Sequence, residues 1–161
     1  MITKLKPALM ALALSTGLAA CNGTSESAAP AVTKKAEGVA ITLKAVAVSP
    51  EVGTMGLVPT APEGATYIHV TYELKNVSAE ALPFEQWPQP RLVDAAGNRL
   101  EPEIGSSTAL SASSNPGWFE NLNPNLSTEA QLVWKVDAKS FDRAAWTLTF
   151  LSEPAVSFPL K

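Results

Sequence analysis

The chain has 161 residues, with 12 basic and 15 acidic side chains, one histidine, one cysteine and a formal charge of −3. A single cysteine leaves no internal disulfide, so any folded part must be held by its apolar core. An acidic chain without a basic run argues against nucleic acid as a partner and against electrostatic docking on anionic lipid.

The first 20 residues read as a secretion signal. Lys4 and Lys6 form a positive start, Ala8 to Leu14 is a short apolar run, and small residues lead up to Cys21. That run is too short to span a bilayer as a helix, which needs about 20 apolar residues. Leu18-Ala19-Ala20-Cys21 resembles the lipobox of bacterial lipoproteins. The resemblance implies a diacylated thiol, cleavage before Cys21 and acylation of the new amine, with the lipid bilayer as a partner. Two or more acyl chains hold a protein stably, at about 0.8 kcal/mol per buried CH₂. A plain secretory signal with a chance cysteine is the competing reading. Loss of residues 1–20 removes two lysines and moves the formal charge to −5.

Residues 22–38 are mostly Ser, Thr, Ala and Pro with a few charges, and Val32 is their only large apolar residue. Such a segment buries too little to offset its ordering entropy, and residues 21–38 are expected to be a lipidated cysteine and a flexible tether. Asn22 stands where an aspartate would be the usual inner-membrane retention residue in enteric bacteria. That tilts the expected location toward an outer membrane, facing the periplasm.

Residues 39–161 are expected to form one all-β domain. Val39 to Ser49 is rich in small and β-branched residues, with Ile41, Leu43 and Ala45 on one side and Thr42 and Lys44 on the other. Pro50 stops it, and a Gly- and Pro-rich loop runs to Gly64. Thr66 to Asn76 is the clearest strand. Ile68, Val70, Tyr72 and Leu74 face one way, while Tyr67, His69, Thr71, Glu73 and Lys75 face the other, the period-two mark of a sheet with one buried face.

Leu82 to Pro90 looks irregular, with three prolines, Phe84 and Trp87. Arg91 to Pro102 reads as a hairpin in which Gly97-Asn98 supplies positive-φ residues. Ile104 to Gly117 is expected to be a Ser-rich loop or a frayed edge. Thr128 to Val136 alternates again, Ala138 to Ala145 fits a short helical turn, and Trp146 to Leu151 and Val156 to Leu160 are the last strands. Seven to eight short strands with turns between them suggest a β-sandwich, with a barrel as the alternative.

The strand ending Tyr72-Glu-Leu-Lys-Asn76, the segment Arg91-Leu-Val-Asp-Ala-Ala-Gly-Asn-Arg-Leu100, Leu122-Asn-Pro124, Gln131-Leu-Val-Trp-Lys-Val136 and Trp146-Thr-Leu-Thr-Phe150 follow one another in that order. This series is similar to the immunoglobulin-like domains of unknown function on secreted bacterial proteins and lipoproteins, over about residues 39–151. Asn125 stands where the family usually has glycine, and asparagine also tolerates the left-handed conformation. The likeness implies an immunoglobulin-like sandwich and an adhesive, binding or envelope-associated role. It brings no catalytic residues, since its motifs are turns and core positions.

No cofactor is implied. His69 is alone, which is too little for a metal site, and Met55 is the only methionine beyond residue 20. The serines 106, 107, 111, 113 and 114 lack a nucleophile elbow and read as a solvated loop. Glu101 and Glu103 read as solvated charge. Trp87, Trp118 and Phe119 fall in predicted loops beside prolines, where aromatics stack on sugars or anchor a protein partner. The bland reading is that they fold back to plug the ends of the sandwich, while Trp134 and Trp146 are expected in the core.

The lead expectation is a lipid-anchored, non-enzymatic interaction module of the bacterial envelope with an envelope protein as partner. A glycan or cell-wall binder using the loop aromatics is the alternative, and a hydrolytic or redox enzyme a distant third.

Overall fold

The computed structural model describes residues 31–52, 60–107 and 120–161. Eight strands follow in chain order: β1 (Val32–Ala36), β2 (Val39–Ser49), β3 (Ala65–Asn76), β4 (Gln89–Val93), β5 (Arg99–Leu100), β6 (Ser127–Asp137), β7 (Thr147–Leu151) and β8 (Val156–Pro159). They form two four-stranded sheets, ordered β1-β2-β3-β6 and β5-β4-β7-β8, with antiparallel pairing throughout. The chain is therefore a β-sandwich rather than a barrel. It leaves the first sheet after β3, returns for β6 and leaves again for β7. Strands β3 and β6 thereby become neighbours in one sheet, and β4 and β7 in the other, as in immunoglobulin-like sandwiches.

Alternation along the strands builds the core. Ile41, Leu43, Ile68, Val70, Tyr72, Leu74, Leu132 and Trp134 from the first sheet meet Leu92, Leu148, Phe150 and Phe158 from the second. The Phe150 ring packs edge-on to Tyr72 at 4.9 Å and to Phe158 at 5.9 Å. Edge-to-face pairs of this kind add about 0.5–1.5 kcal/mol beyond burial. Burial pushes the Tyr72 phenol well above its ordinary pKa.

Several expectations are corrected. The segment expected to be tether contains β1, with Val32 opposite Leu43 and Ala36 opposite Val39. Its sequence buries almost nothing, and it forms because the edge of β2 offers backbone partners, a signal no composition carries. Ala45 does not share a face with Leu43. The register with β3 jumps from Leu43 opposite Tyr72 to Ala45 opposite Thr71, so Lys44 is an extra bulged residue and Val46 takes the core position.

In the β4–β5 hairpin only Gly97 has positive φ, at 87°. The Asp94 carboxylate holds that turn by accepting from the Ala96 and Asn98 amides and the Asn98 side chain. These bonds, the Asn98 side chain first, pull the Asp94 carboxyl below its ordinary pKa.

Ala138 to Ala145 forms two separate turns rather than one, each closed by an i→i+4 backbone bond, Phe141 N to Asp137 O and Trp146 N to Asp142 O, and neither continues into a helix. Asp137 accepts from the amides of Lys139 and Ser140, and Asp142 from that of Ala144. Aspartate competes for backbone donors in this way and favours turns over helix. Strand β4 begins at Gln89, earlier than expected, and includes Pro90 opposite Phe150. Proline is tolerated there because β5 pairs only with Leu92 and Val93, leaving Pro90 on an unpaired edge.

Candidate functional site

Of the residues singled out as sites, Cys21, Trp118 and Phe119 lie outside the described residues. Trp87 is described, and it is 5 % exposed. It joins the main core beside Phe84, with ring centres 5.2 Å apart, and its Nε1 donates to the Leu82 carbonyl at 3.4 Å. A short 3-10 turn, Phe84–Gln86, rolls the chain back so that the indole plugs one end of the sandwich. Trp87 is therefore a core residue and not a surface contact. Trp134 and Trp146 are core residues too, as expected.

The plugged end is organised by Asn76, which is fully buried. Its Nδ2 donates to the carbonyls of Glu80 and Leu122, both at 2.7 Å. Its Oδ1 accepts from the Ser78 amide at 2.9 Å and the Ser78 hydroxyl at 2.7 Å. The backbone closes the ring. Asn76 N donates to Leu126 O and Asn125 N donates to Asn76 O, each at 3.0 Å, while Leu82 and Leu122 exchange two amide bonds of 2.9 Å. Asn125 sits at φ 64°, the left-handed conformation expected for it.

Two chain segments, 78–80 and the one carrying Leu122, thus converge on one side chain. The sequence signal was weak: an asparagine ending a strand, with serine two residues later. At this same end Val77 is 43 % exposed and Leu126 55 %.

The opposite end is built differently. Val52, Tyr67 and Val133 form a second apolar cluster on the outer face of the first sheet, with Ala61 against it. His69 lies on that face, half-buried, and its Nε2 is 3.0 Å from the Glu51 carbonyl. A carbonyl only accepts, so Nε2 carries the proton. Burial lowers the His69 pKa, and the Glu51 carbonyl offsets part of that.

Ser107 does not sit in a solvated loop. It is buried, and its Oγ accepts from the Val133 amide at 3.0 Å, while Glu103 N donates to Val133 O at 2.7 Å. Residues 103–107 therefore cover part of the outer edge of β6. Glu101 and Glu103 are each paired rather than merely solvated, with Arg91 at 3.0 Å and Lys135 at 2.9 Å. Sequence reasoning also missed Arg143. It joins the sheets by donating from Nε to Leu160 O at 2.7 Å and from Nη2 to Val46 O at 2.9 Å.

Among the described residues no group of three or more His, Cys, Asp or Glu side chains is placed to hold a metal, and no helix is long and apolar enough to cross a membrane.

No protein-family model matches the chain. It is 29 % identical over 127 residues to "Uncharacterized protein YxkC" of Bacillus subtilis, covering 77 % of this chain and 71 % of that protein. Solved structures share the fold. A conserved hypothetical protein from Bacillus anthracis superposes with a TM-score of 0.72 at 17 % identity, over 88 % of this chain and all of that one. An uncharacterized beta-sandwich protein from Clostridium difficile gives 0.54 at 11 % identity, over 83 % and 93 % of the two chains. A functionally unknown protein from Listeria monocytogenes gives 0.55 at 17 %, over 86 % and 87 %.

Proposed function

We propose that this chain is a lipid-anchored, non-enzymatic interaction module of the bacterial cell envelope, held to the bilayer through acylated Cys21. The observation that carries the reading is the run Leu18-Ala19-Ala20-Cys21 set ten residues before β1, so that a folded sandwich follows the acylation motif closely. A thiol is the side chain that forms the thioether to a glyceryl group, so Cys21→Ser should move the protein from the membrane fraction to the soluble one. Intact-mass analysis of the wild-type membrane fraction should show added acyl mass on a chain beginning at Cys21. A mature chain without that mass refutes the anchor.

The partner in this reading is an envelope protein that meets the Asn76 end. Exposed Val77 and Leu126 support that choice. A photoreactive residue at Leu126, and separately at Trp118, should give one dominant protein adduct in cells. A glycan adduct alone would favour the second reading, a cell-wall binder using Trp118 and Phe119. Trp87 takes no part in either, because it is buried. Blanks at both positions would remove this end of the sandwich from consideration.

A further inference from the structure

We infer that β1 is a detachable strand, hinged at Gly38, whose release lengthens the segment between Cys21 and the sandwich. The consequence for reach rests on the lipid-anchor reading above. The release itself rests on how β1 is held.

Of the five residues of β1 only Ala36 is buried, and Val32 is 42 % exposed. Lys34 lies opposite Ile41, so it occupies an inward position of the edge strand. An apolar side chain there would join the core. The Lys34 ammonium instead reaches across to β8, donating to the Ser157 carbonyl and standing 5.3 Å from the centre of the Phe158 ring. A further side-chain tie is the Thr33–Thr42 hydroxyl pair at 2.8 Å. Both ties are exposed, so water replaces them at little cost. Inward charge is a recognised device of edge strands, since it resists pairing with other chains. Here it also leaves β1 without the apolar grip of its neighbours. Segments with few buried apolar contacts and exposed backbone hydrogen bonds open far more readily than the core.

The hinge is set by a separate contact. Gly38 has φ 72°, and its carbonyl accepts from the Val77 amide at 2.9 Å. Peeling therefore stops at the two-residue turn, while β2 keeps its full pairing with β3. Ten residues separate Cys21 from Val32, a span of at most about 35 Å. Release of residues 32–37 raises that limit to about 55 Å. The domain would thus hold two reaches from one anchor, a short one with β1 docked and a longer one with it free.

Hydrogen exchange read by mass spectrometry on the full chain in detergent micelles tests this. Amides bonded across the β1–β2 pair should exchange at least about 100-fold faster than those between β2 and β3. Lys34→Ala should speed β1 exchange further and leave β3 and β6 unchanged, and Lys34→Ile should slow it by supplying the missing apolar grip. Protection of β1 equal to that of β3, or an equal effect of Lys34→Ala on every strand, overturns the release. Intact mass on the same sample separates the two readings. Fast β1 exchange without acyl mass removes the anchor and leaves the hinge standing. Acyl mass with a fully protected β1 does the reverse.

Discussion

At its Asn76 end, β3 is closed by a polar side chain whose hydrogen bonds gather the β3–β4 and β5–β6 connections. At its Ala65 end the same strand is covered on its outer face by Val52, Tyr67, Val133 and Ala61, held by apolar contact. The two solutions fail differently. A hydrogen-bonded hub fails as a unit, because one deletion removes the shared partner of every group it served. An apolar cluster loses stability in proportion to the methylenes removed and to how well the site collapses.

The largest expected effect is therefore at Asn76. Asn76→Ala removes four side-chain hydrogen bonds at once, while the Leu122 and Glu80 carbonyls keep the Leu82 amide and the Ser78 hydroxyl as donors. At roughly 0.5–1.5 kcal/mol net for each bond, a loss of about 3 kcal/mol is expected in urea unfolding. Asn76→Asp should be worse near neutral pH, since it points a charge at two carbonyls, and should recover partly in acid. An effect below about 1 kcal/mol would mean that water enters this end and the hub is no hub. Val133→Ala, at the other end, should cost about 2 kcal/mol from the two lost methyl groups and the space they leave. A larger loss would show that the outer cluster also holds the 103–107 segment on β6.

Asn125 sharpens the comparison, because it sits in the hub but contributes backbone conformation rather than side-chain bonds. At φ 64°, Asn125→Ala should cost about 1 kcal/mol and Asn125→Gly should be neutral or slightly stabilising, measured by thermal unfolding. The smallest effect belongs to His69. Its folded pKa is lowered, so the unfolded chain binds the proton more tightly. Stability is then full above the unfolded value of about 6.5 and declines as pH falls toward the folded pKa. His69→Gln should flatten that part of the profile of urea midpoints between pH 7 and 5. An unchanged slope would assign it to other groups.

Much of this fold was legible along the chain. Strands β2, β3, β6 and β7 stand within a residue of where alternation placed them, and Asn125, standing after Leu122-Asn-Pro124 where the resembled family has glycine, adopts the left-handed conformation. The candidate site was far less so. Trp87 next to Pro88 looks like an exposed loop aromatic, yet the 3-10 turn before it carries the indole inward. Ser107 belongs to a run of serines that reads as solvated, and only the bare edge of β6 gives it a buried partner. Asn76 was visible as a strand end, but its partners lie up to 46 residues away.

The amino-acid sequence by itself determined which residues alternate and where turns interrupt them, because side chains in a strand leave the backbone in opposite directions at successive residues. It also carries the run Leu18-Ala19-Ala20-Cys21 on which the proposed anchor rests, a reading that needs no fold. The tertiary structure decided what each face meets. It placed a bulge at Lys44, turned a tether-like segment into β1, covered one half of an outer face and left the other in water. Those outcomes depend on backbone partners and loops supplied from distant parts of the chain, and period-two alternation within one strand carries no record of them.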